Sequence, residues 1–107
     1  MNLTEVVYRV SKEFPKEEQF CLVSQIRRAA ISVPSNIAEG QGRRASREFA
    51  RFLTIAHGSV REVETQTLIA KRLNYINDDS ATPVLELAGK VGRLITGLIK
   101  SLDGPDS

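Results

Sequence analysis

Apolar residues recur at three- and four-residue steps over almost the whole chain, which is the spacing of one face of an α-helix. The first such stripe predicts a helix from about Leu3 to Phe14. Its members are Leu3, Val6, Val7, Val10 and Phe14. Pro15 is expected to end this helix, because a proline disfavours helical geometry in the residue before it.

A second helix is predicted from residue 16 or 17 to the glycines at positions 40 and 42, which suit a left-handed helix cap. Its stripe consists of Leu22, Ile26, Ala29, Val33 and Ile37. Pro34 lies inside this pattern, but the stripe keeps its phase beyond it. We therefore interpret Pro34 as a kink in a continuous helix. In the alternative, a new helix starts at Asn36 with Glu39 as its capping-box partner.

The third helix has the most regular pattern and is predicted over residues 46–73, with Ser46 as its N-cap. Its apolar positions follow alternating steps of four and three residues, as in a heptad seam. They are Phe49, Leu53, Ala56, Val60, Val63, Thr67 and Ala70. A neighbouring stripe is apolar at both ends and polar in the middle. It contains Phe52, Ile55, Ser59, Glu62, Gln66, Ile69 and Leu73.

A fourth helix is predicted from about Pro83, at its first position, to Leu102, with Ser80 or Thr82 as its cap. It carries two adjacent apolar stripes. One contains Val84, Leu87, Val91, Leu94 and Leu98, and the other contains Leu85, Ala88, Ile95, Ile99 and Leu102. Such an apolar face is wider than the surface that one neighbouring helix covers in a small bundle. Together with the polar-centred stripe of the third helix, it predicts a homo-oligomer.

Four helices joined by short connections predict an all-α fold, an antiparallel up-and-down four-helix bundle over residues 1–102. Residues 103–107 (DGPDS) are expected to form a disordered tail. The chain has 107 residues, which is the length of one domain. It contains no apolar run near the ~20 residues of a membrane helix and no secretory signal at its start. We therefore expect a cytoplasmic protein without a membrane partner.

The composition offers little for catalysis, metal or cofactor binding. One histidine and one cysteine are too few for a closed zinc site, so neither a metal nor another cofactor is expected. His57 has no acid or thiol spaced to form a catalytic triad, and Cys21 is expected to be a small buried hydrophobic residue. Residues 40–45 (GQGRRA) match a loose dinucleotide-binding pattern, which requires a preceding strand that this chain lacks. The sequence therefore predicts a protein that is not an enzyme.

Positive charge is concentrated in the middle of the chain. The net charge is only +2, but residues 27–51 hold six arginines and two glutamates, a net charge of +4. Near the start of the third helix, arginines and free backbone amides favour the same anion. The candidate phosphate-binding residues are Arg27, Arg28, Arg43, Arg44, Arg47 and Arg51. The alternative is a solvated basic edge, with salt bridges to Glu39 and Glu48.

Besides Pro34 and Glu39, two further positions, Gly58 and Glu62, are candidates for structural or interface roles. Glu62 and Glu64 are two residues apart on a helix, so they point to different faces and cannot share an acid–base site. Glu62 is predicted to be a buried or interfacial partner of an arginine, with Arg27 or Arg28 as the first candidates. Gly58 and the serine after it would allow another helix to approach closely.

Several long motifs resemble the bacterial 23S rRNA-intervening sequence protein family, also called four helix bundle proteins. They are FPKEEQF at residues 14–20, SQIRRAAISVPSNIAEGQGR at 24–43 and EFARFLTIAHGSVREVETQT at 48–67, with AKRL at 70–73. The resemblance covers about Val6 to Leu102. Family members usually have more residues in the first helix, including a tryptophan. This chain has no tryptophan, so its first helix looks short.

The resemblance implies a four-helix bundle that assembles as a ring-like homopentamer, and a gene that can lie within an rRNA intervening sequence. A more distant relative is the accessory protein of diversity-generating retroelements, a basic pentamer that engages a reverse transcriptase and nucleic acid. We therefore predict a non-enzymatic, oligomeric nucleic-acid-binding protein whose partner is RNA or, second, DNA. The alternatives are a protein–protein adaptor, for a polymerase for example, and an uncharacterised enzyme.

Overall fold

The computed structural model describes residues 2–102, which contain four α-helices and no strand. The helices are α1 (Leu3–Ser11), α2 (Leu22–Gln41), α3 (Ser46–Arg72) and α4 (Asp78–Leu102), and Lys16–Glu18 forms a 3-10 turn. The prediction of four helices compatible with a four-helix bundle is thus confirmed. The expected tail, residues 103–107, lies outside the described residues.

Sequential helices pack against each other, and α1 also contacts α4. Two polar pairs join α2 to α3. The Ser59 hydroxyl donates to Oγ of Ser32 at 2.8 Å, and Nε2 of Gln66 donates to Oε1 of Gln25 at 3.4 Å. The residue number rises along one helix while it falls along the other, so α2 and α3 are antiparallel. The bundle measures 49 × 23 × 21 Å.

The heptad seam of α3 forms the centre of the core, as the sequence predicts. All its members are buried except Phe49, which is half-buried. Leu53, Ala56, Val63 and Ala70 have no exposed surface. Burial of this kind contributes about 25 cal/mol per Å² of apolar surface. The seam touches α2 on one side and α4 on the other, so α3 organises the bundle.

The first helix is much shorter than the other three. With 9 residues against the 27 of α3, it spans about 13 Å where α3 spans about 40 Å. Its hydrogen bonds reach α2 near Arg27 and Ala30, in the first half of α2. On the part of α4 that lies beyond the N-terminal end of α1, Leu94 is 63% exposed and Leu98 is 42% exposed. Part of the wide apolar face of α4 therefore has no cover within the described residues.

The chain between α1 and α2 differs from the prediction. α1 ends at Ser11, three residues before Phe14, and α2 begins only at Leu22. Glu17 and Glu18 lie in the 3-10 turn rather than in α2, and Oε1 of Glu18 accepts a hydrogen bond from the amide of Leu22 at 3.2 Å. Cys21, predicted to be buried, is exposed in this connection.

Pro34 lies within a continuous α2, so the alternative start at Asn36 is wrong. Proline has no amide to donate to the carbonyl four residues earlier. That carbonyl, on Ala30, accepts the Thr4 hydroxyl of α1 at 3.3 Å. Asn36 donates from Nδ2 to the carbonyl and hydroxyl oxygens of Ser32, at 2.8 and 2.9 Å, rather than capping a helix. Because Pro34 cannot donate to it, the Ala30 carbonyl of α2 is free to accept a hydrogen bond from α1.

The glycines at the end of α2 have different roles from the predicted ones. Neither has a positive φ, so neither forms a left-handed cap. Gly40 is buried inside the helix, where an added Cβ would lie 2.7 Å from Cδ1 of Phe49 and 2.9 Å from Cβ of Phe52. Gly42 ends the helix with φ −78°. The physical requirement at Gly40 is therefore the close approach of α3.

The connection between α3 and α4 is a Schellman turn centred on Asn74, which has φ 63°. The amides of Asn74 and Tyr75 donate to the carbonyls of Lys71 and Ala70 at 3.0 and 2.9 Å. The Tyr75 hydroxyl also donates to Oε2 of Glu18 at 2.9 Å. This hydrogen bond to a carboxylate raises the pKa of Tyr75.

Two helix starts are corrected. α4 begins at Asp78, five residues before the predicted Pro83, and Oδ1 of Asn77 accepts from the amide of Ser80 at 3.0 Å. Pro83 consequently lies in the second turn, and neither Ser80 nor Thr82 is the cap. Ser46 is the first residue of α3 rather than its N-cap, because Ala45 occupies the cap position.

Candidate nucleic-acid interface

Four of the six candidate arginines lie at the junction of α2 and α3. Arg43 and Arg44 are in the connecting turn, Arg47 and Arg51 are on the first turns of α3, and all four are exposed. No side chain caps α3 at Ala45, and Phe49 is the first residue whose amide bonds back, to the Ala45 carbonyl at 3.1 Å. The amides of residues 46–48 thus add positive partial charge to that of the arginines.

Among the described residues, only one of these four arginines forms an ion pair with an acidic side chain. Nη2 of Arg43 lies 3.2 Å from Oε2 of Glu39, and the guanidinium stacks 5.0 Å from the centroid of the Phe52 ring. Among residues 2–102, no carboxylate lies within 4.0 Å of Arg44, Arg47 or Arg51. The predicted salt bridge to Glu39 is therefore present, and the one to Glu48 is not.

The structure separates Arg27 and Arg28 from the cluster of four. Arg27 is half-buried between α1 and α2, where its Nε donates to Oγ of Ser11 at 2.8 Å. Its guanidinium also lies 4.6 Å from the centroid of the Tyr8 ring. These contacts give Arg27 a structural role, and phosphate binding by Arg27 stays a prediction. Arg28 is exposed, but about 22 Å of helix separates it from Arg43.

Two structural candidates behave differently from the prediction. Glu62 is exposed and forms no ion pair with any residue of the described chain, so the expected pair with Arg27 or Arg28 is wrong for a single copy. Gly58 is exposed, with nothing within 4 Å of the position of an added Cβ. The close contact between helices occurs one residue later, at Ser59, which is 6% exposed. An interfacial role for Glu62 stays a prediction.

A polar groove of about 370 Å³ runs between α3 and α4. His57, Arg61 and Glu64 line it from α3, and Arg93 and Thr96 line it from α4. Nη1 of Arg61 lies 3.9 Å from Oε1 of Glu64. No group of three or more metal-ligating side chains occurs in residues 2–102. The sequence reasoning missed Arg61, although it continues the helical spacing of Arg47 and Arg51.

Comparison with known proteins gives the family. The family model of the 23S rRNA-intervening sequence protein matches residues 1–97. The chain belongs to the 23S rRNA-intervening sequence protein family. A similar solved structure is a protein of unknown function from the S23 ribosomal protein family of Bacteroides thetaiotaomicron. Its TM-score is 0.76 at 23% identity, over 88% of this chain and 98% of that one.

The family model and the Bacteroides structure show the family and the fold of this chain, but neither shows its activity. At 23% identity, the Bacteroides structure supports the helical fold alone. No curated protein matches the chain. Within residues 2–102, none of the helices is both long and apolar enough to cross a membrane.

Proposed function

We propose that this protein is a non-enzymatic nucleic-acid-binding protein that contacts the phosphate backbone, with RNA as the first ligand to test. The observation that carries the proposal is the uncapped start of α3 beside Arg44, Arg47 and Arg51, which have no carboxylate within 4.0 Å. Like charges four residues apart on a helix repel each other. A phosphate at this junction would relieve the repulsion and accept hydrogen bonds from the free amides.

The chemistry of the junction fits phosphate better than a base edge. Guanidinium groups bind phosphate oxygens through two parallel hydrogen bonds, and such charge-assisted bonds are stronger than neutral ones. Contacts to phosphate hold a nucleic acid in place but carry no direct sequence information. The proposed activity is therefore binding that depends strongly on salt and weakly on sequence.

Removing the four junction arginines should abolish most of this binding. The test variant is Arg43→Gln/Arg44→Gln/Arg47→Gln/Arg51→Gln. We expect at least ~10-fold weaker binding to RNA at ~50 mM salt, because fewer counterions are released. The logarithmic salt dependence should become shallower by about 1 for each lost phosphate contact. Fluorescence anisotropy with labelled RNA of two unrelated sequences would measure both quantities.

A matched control removes the same charge elsewhere. Its substitutions, all at exposed positions of other elements, are Arg9→Gln, Lys12→Gln, Lys16→Gln and Lys90→Gln. The control should bind nearly as the parent does, and both variants should keep the parent's circular dichroism spectrum because exposed charges contribute little to stability. Equal binding by the parent and the junction variant, or no binding by the parent at ~50 mM salt, would overturn the proposal.

We further propose that the protein assembles as a homo-oligomer, in the ring-like homopentamer that the family resemblance implies. Leu94 and Leu98, one turn apart on α4, are exposed beside the half of the bundle that α1 does not cover. Exposed apolar residues grouped on one face mark contact surfaces. A ring would also repeat the arginine junction and so strengthen weak phosphate contacts through multivalency. An adaptor function, in which another protein covers this face, is the second candidate.

Placing charges on this face should dissociate the assembly. Leu94→Glu/Leu98→Glu is expected to give a monomer in light scattering at micromolar concentration, where the parent gives a larger mass. Thr96→Glu on the exposed side of the same helix is the matched control and should keep the parent mass. A parent that is itself monomeric would refute the oligomer and favour the adaptor.

A further inference from the structure

A stripe of exposed residues that includes four arginines runs along the outer face of α3, far beyond the junction with α2. It follows steps of four and three residues, so its members share one side of the helix. All of them are exposed. The stripe consists of Arg47, Arg51, Thr54, Gly58, Arg61, Thr65, Leu68 and Arg72. It contains four arginines and no acidic or aromatic residue, and we call it the outer stripe of α3.

The two arginines in the second half of the stripe are available to a ligand. The Arg61 side chain is 72% exposed, and its contact with Glu64, at 3.9 Å, is too long for a strong charge-assisted hydrogen bond. Among residues 2–102, no carboxylate lies within 4.0 Å of Arg72. Arg93 adds a further positive charge to the groove that Arg61 lines. Positive charge therefore extends along most of the length of α3.

The spacing of the arginines matches the geometry of a nucleic-acid duplex. At 1.5 Å per residue, the midpoint of Arg47 and Arg51 is about 18 Å from Arg61, which is about 16 Å from Arg72. A B-form duplex repeats every ~34–36 Å. Because it has two backbones, a rod laid along one side meets a phosphate strand about every 17 Å on average. α3 thus presents positive charge at intervals close to the average spacing of the backbone crossings, which alternate between the wider major groove and the narrower minor groove.

The side chains of the stripe disfavour a single strand as the ligand. Proteins that bind single strands combine positive charge with aromatic rings on which the bases stack. The outer stripe has no such ring, and its uncharged members are a glycine, two threonines and a leucine. The strongly exposed Phe20 belongs to the connection before α2, a different element. A duplex also carries the higher charge density, so it releases more counterions per contact.

We propose that the outer stripe of α3 binds the phosphate backbones of a nucleic-acid duplex lying along the helix. This inference rests on the proposed phosphate-binding function and extends it in two ways. It names the class of ligand as a duplex rather than a single strand, and it adds Arg61 and Arg72 to the binding residues. Recognition is of backbone spacing and charge, so a B-form DNA duplex fits the stripe best and the A-form RNA duplex is the second ligand to test.

The test compares ligands and variants by fluorescence anisotropy with the full chain. The probes are a 20-base-pair DNA duplex, the RNA duplex of the same sequence and the corresponding single strands. We expect the parent to bind at least one duplex ~10-fold more tightly than either single strand, because of the higher charge density. Arg61→Gln/Arg72→Gln should lose ~10-fold for the duplex and make its salt slope shallower by about 2.

A control variant and the junction variant separate the possible outcomes. Arg9→Gln/Lys12→Gln removes two exposed charges from α1 and its C-cap. Because α1 does not contact α3, this variant should bind duplex as the parent does. If Arg61→Gln/Arg72→Gln binds duplex as tightly as this control while the junction variant loses binding, the proposal for the outer stripe is overturned. The proposal for the junction then stands. Single strands bound as tightly as both duplexes would overturn the duplex preference. If no probe binds the parent, both proposals fail.

Discussion

Replacing Leu53 by alanine is expected to lower the free energy of unfolding by about 2–5 kcal/mol. Leu53 has no exposed surface and lies on the seam of α3, between α2 and α4. The substitution removes apolar contacts and leaves a cavity that three helices can close only in part. Urea unfolding followed by circular dichroism would measure the change.

Leu68→Ala is the matched control on the same helix. Its side chain is 50% exposed, so the same substitution removes little buried surface and should change the free energy of unfolding by about 0.5 kcal/mol or less. Equal effects at the two positions would mean that the seam of α3 is not the centre of the core.

Gly40→Ala and Gly58→Ala should change stability in opposite directions, although both replace glycine inside a helix. At Gly40 the new methyl group would overlap Phe49 and Phe52, so we expect a loss of about 1–3 kcal/mol from overpacking. At Gly58 nothing lies within 4 Å of the new methyl group. Alanine favours the helix there by about 0.8–1.0 kcal/mol, so the variant should be more stable.

Thermal unfolding of the two variants beside the parent would measure this difference in sign. An increase in the melting temperature of Gly40→Ala would contradict the close packing of α2 on α3. A decrease for Gly58→Ala would show that another group occupies the space next to this glycine.

The sequence predicts the helices best where the apolar pattern is long and uninterrupted. The heptad seam of α3 predicts both its helix and the buried side of that helix, because the steps of four and three residues leave one choice of face. Continuity through Pro34 follows from the phase of the stripe. What the pattern could not show is that the Ala30 carbonyl freed by Pro34 accepts Thr4 from α1, because that contact depends on how the two helices dock.

Helix starts are predicted less well because local hydrogen bonds decide them. Proline is common at the first position of a helix, so the sequence predicted a start at Pro83 instead of the actual start at Asp78. Asn77, followed three residues later by Ser80, was the available signal, since an asparagine side chain often accepts from that amide. At α2, the cap comes from the Glu18 side chain in the preceding turn, and no periodic pattern marks it.

The candidate site was predictable as far as it depends on adjacent residues. Arg43 to Arg51 lie close in the chain and remain together at the junction. The contacts of Arg27 were not predicted, because its partners, Ser11 and Tyr8, belong to another helix. Arg61 and Arg72, which we propose as further binding residues, lie outside the most basic segment, although they continue the helical spacing of Arg47 and Arg51.

The two polar pairs between α2 and α3 select one alignment of these helices. Sliding α2 by one helical turn would bring Ser32 toward Ile55 or Glu62 and Gln25 toward Glu62 or Ile69, so each slipped arrangement places one polar side chain against an isoleucine. The loss of one such hydrogen bond, about 1 kcal/mol net, disfavours the slipped arrangement by a factor of about 5. An apolar seam alone tolerates such sliding, because one aliphatic contact replaces another. The serine and glutamine pairs therefore favour one alignment of α2 on α3.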